Sequence, residues 1–476
     1  MSRRVAVLGG GISGLVAAYR LVSANHIEPV EVVLYEANNR LGGVIRSDLS
    51  QGVVLEGGPD SLLKRKPEAL ELVKELGLAD QIMGTNPHTR GAYIFHRGHF
   101  HDIPPGVRVG IPTRLDTLWT TELLALGEKL RLWGDLVLPR RPAVGDQSLG
   151  SLLRYRFGDA YVDRIAAPIL AGIYAGDIDR LSLRVTAPQL LTYQSRGPSL
   201  IREAQRAFKA QPSNVPLGGM FVSLTSGIES LVTRLAQIIS QAATVHLGEA
   251  VNRVTGGKGG YVVHSDSRTL EVTDVVVALP AYRAAHVLTF LDESTRKILL
   301  DIPYADLAVV GAVYDEGAIG RDLSATGYLV PRGEGIEMTA GTFVRAKWDY
   351  PDHIDLVPIR AFYGRAGQPD LLKNSDDQIL ARFRREMGYV MGVTDAPRFA
   401  RVFRSAQGMP QYLVGHREAI ERLRSAQDAW PGLKMIGAYW DGVGVPDCIR
   451  HANEAISELL TDWSKSPNRT PLPRSR

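Results

Sequence analysis

The sequence has little cysteine and no long apolar segment. Cys448 is the single cysteine among 476 residues, which excludes intramolecular disulfides and cysteine-rich metal sites and leads us to expect a reducing compartment. No stretch approaches the roughly 20 apolar residues that a membrane-spanning helix needs. The histidines do not have the spacing of metal ligands, so we predict no metal site.

The sequence also lacks a strong charge of either sign. It contains 55 basic and 51 acidic residues, for a net charge of +4. This small excess does not indicate nucleic-acid binding, although it suits an anionic small molecule. The first predicted strand begins by residue 4, so we expect no targeting segment ahead of the fold and a cytoplasmic protein.

One segment leaves a membrane contact open. Residues 115–138 combine apolar side chains, among them Trp119 and Trp133, with scattered charges. This composition suits either a core helix or a helix that lies in a membrane interface. We therefore expect membrane contact to be peripheral at most.

Glycine is plentiful, and the most informative glycines stand near the start of the chain. The apolar segment Val5–Leu8 runs directly into residues 9–14, GGGISG, and a helical pattern follows. Gly9 permits a tight turn, Gly11 lets the backbone approach a pyrophosphate, and Gly14 lets the helix pack on the strand. The phosphates are expected at the N-terminus of this helix, where free N–H groups attract anions.

An acidic residue follows at the distance that a dinucleotide requires. Glu36 ends the second predicted strand, about 20 residues beyond the glycines. Its carboxylate would accept from both ribose hydroxyls and repel a 2′-phosphate, which favours FAD or NAD over NADP. A second glycine turn, RLGG at residues 40–43, comes next. It resembles the turn of the FAD-dependent amine oxidase and protoporphyrinogen oxidase superfamily, so we predict FAD.

The order of predicted elements indicates a discontinuous nucleotide-binding domain. We predict an α/β and α+β fold that combines a Rossmann-like FAD-binding domain, a mainly helical domain with part of the substrate cavity, and a mixed-sheet substrate-binding domain. Their predicted bounds are 1–62, 218–290 and 425–464 for the first, 63–217 for the second and 291–424 for the third. The tail, 465–476, is basic, polar and rich in proline, and we expect it to be disordered.

Motifs along the rest of the chain resemble those of one family. They are EGGPDS at 56–61, AGIYAGD at 171–177, GGM at 218–220, MPQY at 409–412 and GVGVPDCI at 442–449. Together they resemble the FAD-dependent porphyrinogen oxidases of heme biosynthesis over residues 4–460. The variants at 59–61 and 409–412 are similar to the soluble bacterial type, whose members oxidise coproporphyrinogen III.

The resemblance implies an enzyme that oxidises coproporphyrinogen III to coproporphyrin III. FAD and molecular oxygen would carry out this six-electron oxidation with release of hydrogen peroxide, and a ferrochelatase would receive the product. The oligomeric state stays open.

Protoporphyrinogen IX is the alternative substrate. A flavin amine oxidase would place a lysine near the flavin on the strand at 303–315, which contains none, and the intact cavity motifs count against a redox-silent FAD scaffold.

The resemblance also carries predicted FAD contacts, residue by residue. Two positions depart from the family pattern and bear on local flavin packing: Ser405, where soluble members often have an aromatic residue, and Asn453, where glycine is common. The predicted contacts are Gly9, Gly10, Gly11, Ile12, Ser13, Gly14, Glu36, Ala37, Arg40, Gly42, Gly43, Gly57, Gly58, Pro59, Asp60, Ser61, Val251, Val443, Gly444 and Val445.

The substrate residues are predicted from the charge of a tetrapyrrole that carries propionates. Such a substrate needs cations at the rim of the cavity. Lys64, Arg65 and Lys66 directly follow the loop 57–61, so we predict that at least one faces the cavity; a solvated charge run is the alternative. Ile173 and Tyr174 are predicted cavity walls, with core packing as the alternative for Tyr174. No catalytic base is predicted, because the flavin carries the chemistry.

Overall fold

The computed structural model describes residues 3–25, 29–50, 52–140, 145–210, 219–257, 259–350, 355–368 and 371–465. Beyond Lys465, the tail that we predict to be disordered lies outside the described residues. Gly218 of the motif at 218–220 lies outside them as well.

Strands and helices alternate at first, and longer antiparallel strands come later. Within the described residues, the strands are β1 (Arg3–Leu8), β2 (Val30–Glu36), β3 (Ser47–Ser50), β4 (Val53–Glu56), β5 (Leu62–Leu63), β6 (Ile82–Gly84), β7 (Tyr93–His96), β8 (His99–Asp102), β9 (Val107–Arg108), β10 (Ile111–Pro112), β11 (Phe221–Leu224), β12 (Thr244–Leu247), β13 (Val251–Gly257), β14 (Gly260–Ser265), β15 (Thr269–Val272), β16 (Asp274–Val277), β17 (Tyr304–Asp315), β18 (Gly327–Leu329), β19 (Met338–Phe343), β20 (Leu356–Tyr363), β21 (Phe399–Pro410) and β22 (Leu433–Met435). The helices of the same ranges are α1 (Ile12–Ser23), α2 (Pro67–Glu75), α3 (Leu126–Trp133), α4 (Leu149–Phe157), α5 (Asp159–Tyr161), α6 (Ala167–Tyr174), α7 (Leu183–Thr186), α8 (Pro188–Arg196), α9 (Leu200–Lys209), α10 (Glu229–Ala242), α11 (Ala281–Val287), α12 (Glu293–Leu300), α13 (Val344–Lys347), α14 (Asp376–Met391), α15 (His416–Asp428) and α16 (Val445–Lys465).

The first sheet is parallel and draws its strands from distant parts of the chain. Its order is β12-β2-β1-β16-β22, with β1 at the centre. Val5 and Val7 of β1 pack in one core with residues of α1 and α16, whereas Ala6 and Leu8 pack in the core on the other face. A strand that is buried on both faces explains the continuous apolar run at the start of the sequence. The predicted Rossmann-like layer is confirmed.

The second sheet is mixed and has seven strands in the order β21-β17-β20-β19-β18-β7-β8. The long strands β17 and β21 pair antiparallel, while β18 and β7 pair parallel. Phe383 and Met387 of α14 pack in the core that lies against this sheet. The α+β part of the predicted fold is thereby confirmed as well.

Two strands of this sheet come from the segment that we predict to be mainly helical, 63–217. Residues 93–102 form the hairpin β7–β8 at its edge. Tyr93 and Phe95 point into the core, and the turn residues Arg97 and Gly98 have φ angles of 53° and 82°. Two consecutive positive φ angles are typical of the tight turns that join hairpin strands. Core packing and the turn therefore make these residues part of the second sheet, although the segment as a whole is predicted to be mainly helical.

The segment 115–138 is also less helical than we predict. Its helix α3 covers Leu126–Trp133 and lies between two short 3₁₀ turns. Leu132 faces the core, whereas Leu126 and Leu130 are exposed. Within the described ranges, none of the helices combines the length and the apolar character that crossing a membrane requires.

Candidate functional site

The first glycine turn leaves an open face at the N-terminus of α1. Gly9 has a φ of +102°, and a Cβ atom on Gly14 would lie 1.9 Å from the carbonyl oxygen of Gly9. A Cβ atom on Gly11 would meet nothing within 4 Å. Gly11 is the N-cap of α1 and has no side chain that could bond the N–H groups of Ile12 and Ser13 in the first turn. The turn therefore offers free donors beside open space, which fits a pyrophosphate.

Glu36 ends β2 beside this turn and is buried. Its Oε2 atom accepts from the Gly10 N–H at 2.8 Å, and its Oε1 atom accepts from the backbone and side-chain N–H groups of Asn38. The backbone N–H of Glu249 donates to the carbonyl of Glu36 at 2.9 Å, which brings Val251, at the start of β13, close to the same point. Ala37 follows in an exposed bend. The carboxylate is thus held beside the first glycine turn, and its contact with a ribose stays a prediction.

The second glycine turn packs directly on the first. The N–H of Gly42 donates to the Gly10 carbonyl at 2.8 Å, and a Cβ atom on Gly43 would lie 3.3 Å from the Gly11 Cα atom. Arg40 donates to the carbonyl of Gly43 at 2.7 Å and pairs with Glu229 at 2.9 Å. Its guanidinium therefore closes the turn against α10, and its contact with a phosphate stays a prediction.

The loop 57–61 packs between the second glycine turn and β21. A Cβ atom on Gly57 would lie 2.3 Å from the Phe403 ring, and one on Gly58 would lie 2.1 Å from the carbonyl oxygen of Val44. Only glycine fits at these two positions, since backbone and a buried ring occupy the space. Pro59 and Ser61 are half-buried in the same loop.

Asp60 of this loop binds two cations that the sequence did not reveal, one from α13 and one from β20 of the second sheet. Lys347 Nζ donates to Asp60 Oδ2 at 2.8 Å and to Ser61 Oγ at 3.1 Å. Arg360 NH1 lies 2.7 Å from the same carboxylate oxygen. Although burial favours the neutral acid, Lys347 and Arg360 hold the pKa of Asp60 well below its usual range. No local motif marks either cation, because Lys347 and Arg360 lie 287 and 300 residues away from Asp60 in the chain.

The C-terminal glycines pack against the first turn of α16. A Cβ atom on Gly442 would overlap the side chain of Asp447 at 2.2 Å, and the Gly444 N–H donates to Asp447 Oδ2 at 3.2 Å. Asp447 lies in the first turn of α16, which begins at Val445, and Val443 is half-buried beside it. The loops at 9–14, 42–45, 57–61 and 442–447 therefore converge at the start of α1 and α16.

The three predicted substrate cations have different surroundings. Lys66 Nζ donates to both oxygens of Asp447, at 2.5 and 2.6 Å, so it links α2 to α16. Lys64 is half-buried and its backbone N–H donates to the Met220 carbonyl at 3.0 Å. Arg65 is exposed. The alternative interpretation, a run of solvated charges, therefore holds for Arg65 but not for Lys66, whose ammonium group is ion-paired.

Tyr174 and Ile173 lie on the last turn of α6, near the same basic run. Burial raises the pKa of Tyr174 to about 12; the negative charge of Asp447 adds to this effect and the positive charge of Arg65 opposes it. Asp447 and Arg65 therefore lie within electrostatic range of Tyr174. Its hydroxyl donates to the Thr186 carbonyl at 3.1 Å, while the Ile173 side chain is 43% exposed. The structure thus brings the predicted wall residues and Arg65 to one region.

The two departures from the family pattern lie in different places. Ser405 is on β21, near the irregularity in its pairing with β17. Asn453 Oδ1 accepts from Arg20 Nε at 2.8 Å, so this residue joins α16 to α1. The asparagine therefore has a structural partner of its own at the position where glycine is common.

Glu56, at the end of β4, is a buried acid whose ionisation makes the stability of the fold depend on pH. It accepts from Ser47 Oγ and from the Ile228 N–H, each at 2.7 Å. Burial raises its pKa from 4.5 to about 7, against the opposing effect of these two bonds. Because the folded state prefers the neutral acid, its contribution to stability is present below pH 4.5 and is lost as the pH rises through about 7.

Replacing Glu56 by glutamine is expected to remove this pH dependence, because the amide does not ionise. Its carbonyl oxygen still accepts from the Ile228 N–H, and its NH2 group can donate to Ser47 Oγ in place of the bond that the carboxylate accepts. Between pH 4.5 and 8, the free energy of unfolding of the wild type should fall by about 3 kcal/mol relative to E56Q. Urea denaturation followed by tryptophan fluorescence at several pH values measures the difference. Parallel curves for the two proteins would contradict the raised pKa.

Comparisons with known proteins agree on one class of protein, the flavin-containing oxidoreductases. The family described as flavin containing amine oxidoreductase matches residues 12–460. The chain is 33% identical to coproporphyrinogen III oxidase of Bacillus subtilis (strain 168), over 96% of this chain and 98% of that protein. It is 30% identical to coproporphyrinogen III oxidase of Staphylococcus aureus (strain NCTC 8325 / PS 47), over 97% and 100%. A crystal structure of a candidate protoporphyrinogen oxidase from Exiguobacterium sp. 255-15 superposes with a TM-score of 0.85 at 31% identity, over 97% of this chain and 99% of that one.

Proposed function

Because the chain belongs to the family of flavin containing amine oxidoreductases, we propose that it is an FAD-dependent oxidase that converts coproporphyrinogen III to coproporphyrin III. FAD is its cofactor, and the open face at Gly11 and the buried Glu36 fit its pyrophosphate and ribose. The observation that carries the proposed substrate is similarity along nearly the whole chain to relatives that bear this activity in their names.

The reaction removes six hydrogens from the macrocycle. FAD supplies a two-electron oxidation when bound, and molecular oxygen takes up each electron pair as hydrogen peroxide. Three rounds therefore convert one porphyrinogen and three oxygen molecules to one porphyrin and three hydrogen peroxide molecules. The protein has to bind the macrocycle, orient it and keep bulk water away.

The residues around Tyr174 suit these tasks. The Tyr174 ring is half-buried and lies 6.4 Å from the Tyr412 ring, centroid to centroid, so both are held in place. Such a ring can stack on a pyrrole, and the exposed Ile173 side chain offers apolar contact beside it. Arg65 is the exposed cation of this region, and a guanidinium binds a carboxylate through two parallel hydrogen bonds.

Reversing the charge of Arg65 tests the proposed propionate contact. We expect R65E to raise the KM for coproporphyrinogen III about tenfold with little change in kcat, and the effect should shrink at high salt. The matched control is K297E, which reverses an exposed charge on α12. Equal KM values for R65E and the wild type would exclude Arg65 as an anchor.

The amine oxidase alternative is tested by substrate. The strand β17 contains no lysine, but Lys347 reaches the loop 57–61 from α13, so the presence or absence of a lysine does not separate the two classes. Oxygen consumption and peroxide release should reach three molecules per porphyrin formed, with no peroxide from benzylamine or putrescine. Peroxide from the amines alone would support the amine oxidase. A redox-silent scaffold would release none with any substrate.

Protoporphyrinogen IX is the second candidate substrate. The observation in its favour is the full-length similarity to the Exiguobacterium protein.

We also propose a cytoplasmic location, supported by the single, free Cys448, and a ferrochelatase as the recipient of the product.

A further inference from the structure

The carboxylate of Asp60 faces more positive charge than it can neutralise. Lys347 and Arg360 both contact its Oδ2 atom, while its Oδ1 atom accepts from Ser61 Oγ at 2.5 Å. The side chains of Asp60, Lys347 and Arg360 are 13%, 17% and 1% exposed. Burial lowers the pKa of Lys347, and the Asp60 carboxylate opposes this shift. With Lys347 protonated in its ion pair, two cations and one carboxylate leave an excess of one positive charge.

Arg360 fixes this charge to the backbone of the loop 57–61. Its Nε atom donates to the Glu56 carbonyl at 2.7 Å and its NH2 atom to the Gly58 carbonyl at 2.6 Å. It lies in the middle of β20, paired with Gly311 and Thr342 on the two neighbouring strands. The guanidinium therefore has little freedom to move away from the loop.

Nearby titratable groups bear on this excess charge. The Glu56 carboxyl bonds Ser47 and Ile228. Burial raises its pKa to about 7, while the positive charge of Arg360 opposes this shift. Glu56 is therefore mostly neutral below pH 7, and the excess positive charge is largest there. Tyr350 is neutral, since burial raises its pKa. Arg345 adds a further positive charge over the Tyr350 ring.

We propose that Lys347 and Arg360, held on Asp60, are positioning residues that place a net positive charge behind the loop 57–61 and so raise the reduction potential of bound FAD. The inference rests on the proposed function and on the family resemblance, which implies that the loop 57–61 approaches the isoalloxazine ring of FAD. Reduction adds electrons to the ring system, and a fixed positive charge in a medium of low dielectric favours the more negative state. A higher potential would favour removal of electrons from the porphyrinogen.

Two substitutions test this inference: one removes the positive charge at one end of the ion pair, and the other removes the negative charge at the other end. We expect Lys347→Met to lower the FAD potential and Asp60→Asn to raise it. Each should change the ratio of reduced to oxidised FAD at a fixed potential about tenfold, which corresponds to about 30 mV for a two-electron couple. Lys347→Arg, which keeps the charge, should retain the wild-type potential. Lys297→Met, at an exposed lysine of α12, is the control for charge removal elsewhere.

The potentials are measured by anaerobic equilibration of the holoenzymes with reference dyes, without porphyrinogen. Opposite shifts in K347M and D60N support the inference, because loss of structure alone would not give opposite signs. Unchanged potentials, or shifts of one sign in both variants, overturn it. Since no substrate is present, the predicted shifts in a protein that fails to oxidise porphyrinogens would overturn the proposed function and leave this inference standing.

Discussion

Replacing Gly11 by alanine is expected to weaken FAD binding at least 100-fold while the fold stays intact. The new methyl group would meet no protein atom within 4 Å, and the backbone of Gly11 has a φ of −71°, which alanine adopts without strain. The methyl group would instead occupy the open face where the pyrophosphate approaches α1. A 100-fold loss corresponds to about 2.7 kcal/mol of binding free energy.

Two further glycines provide matched comparisons for this variant. Gly127 of α3 also has open space around its Cα atom, so G127A should bind FAD as the wild type does. In G14A the methyl group would collide with the Gly9 carbonyl, and both folding and FAD binding should suffer. Flavin fluorescence titration and circular dichroism of the apoproteins separate the cases. Unchanged FAD affinity in G11A would place the pyrophosphate elsewhere.

Replacing Arg360 by leucine is expected to lower the free energy of unfolding by about 3–5 kcal/mol. The guanidinium is 1% exposed, and its loss would leave the carbonyls of Glu56 and Gly58 without their donor. Asp60 would also lose one of its two cations in a buried place. Because these bonds join β20 to the loop 57–61, the variant should also release FAD more readily than the wild type.

A surface arginine gives the comparison for this loss. Arg398 pairs with Asp315 at 2.5 Å, but the side chains are 61% and 51% exposed. R398L should therefore change the free energy of unfolding by less than about 1 kcal/mol. Urea denaturation of the holoenzymes measures both variants. Equal stability of R360L and R398L would show that the buried network does not hold the loop.

The nucleotide-binding half of the site is predictable because its signals are local. The turn at 9–14 and Glu36 belong to one strand–helix–strand unit, so their spacing alone places the carboxylate beside the glycines. The hairpin at 93–102, in contrast, could not be predicted from local signals. Its edge position in the second sheet depends on β18, whose residues lie more than 200 positions further along the chain.

The partners of charged side chains were the least predictable part. Lys66 stands in a basic run that suits an anionic substrate, yet its ammonium binds Asp447, 381 residues away. Arg40 likewise pairs with Glu229 of α10. Lys347 and Arg360 belong to no motif, and only the packing of α13 and β20 on the loop 57–61 brings them to Asp60. The sequence shows which residues are charged, but it does not show which distant carboxylate forms an ion pair with each cation.

The most direct test of the central claim is the ratio of kcat/KM values for coproporphyrinogen III and protoporphyrinogen IX. Each substrate is prepared anaerobically and mixed in air with the FAD-loaded protein, and porphyrin fluorescence and peroxide are followed together. We predict at least a tenfold preference for coproporphyrinogen III, with three peroxide molecules per porphyrin. A preference for protoporphyrinogen IX would contradict the proposed substrate, and failure to oxidise either porphyrinogen would contradict the proposed function itself.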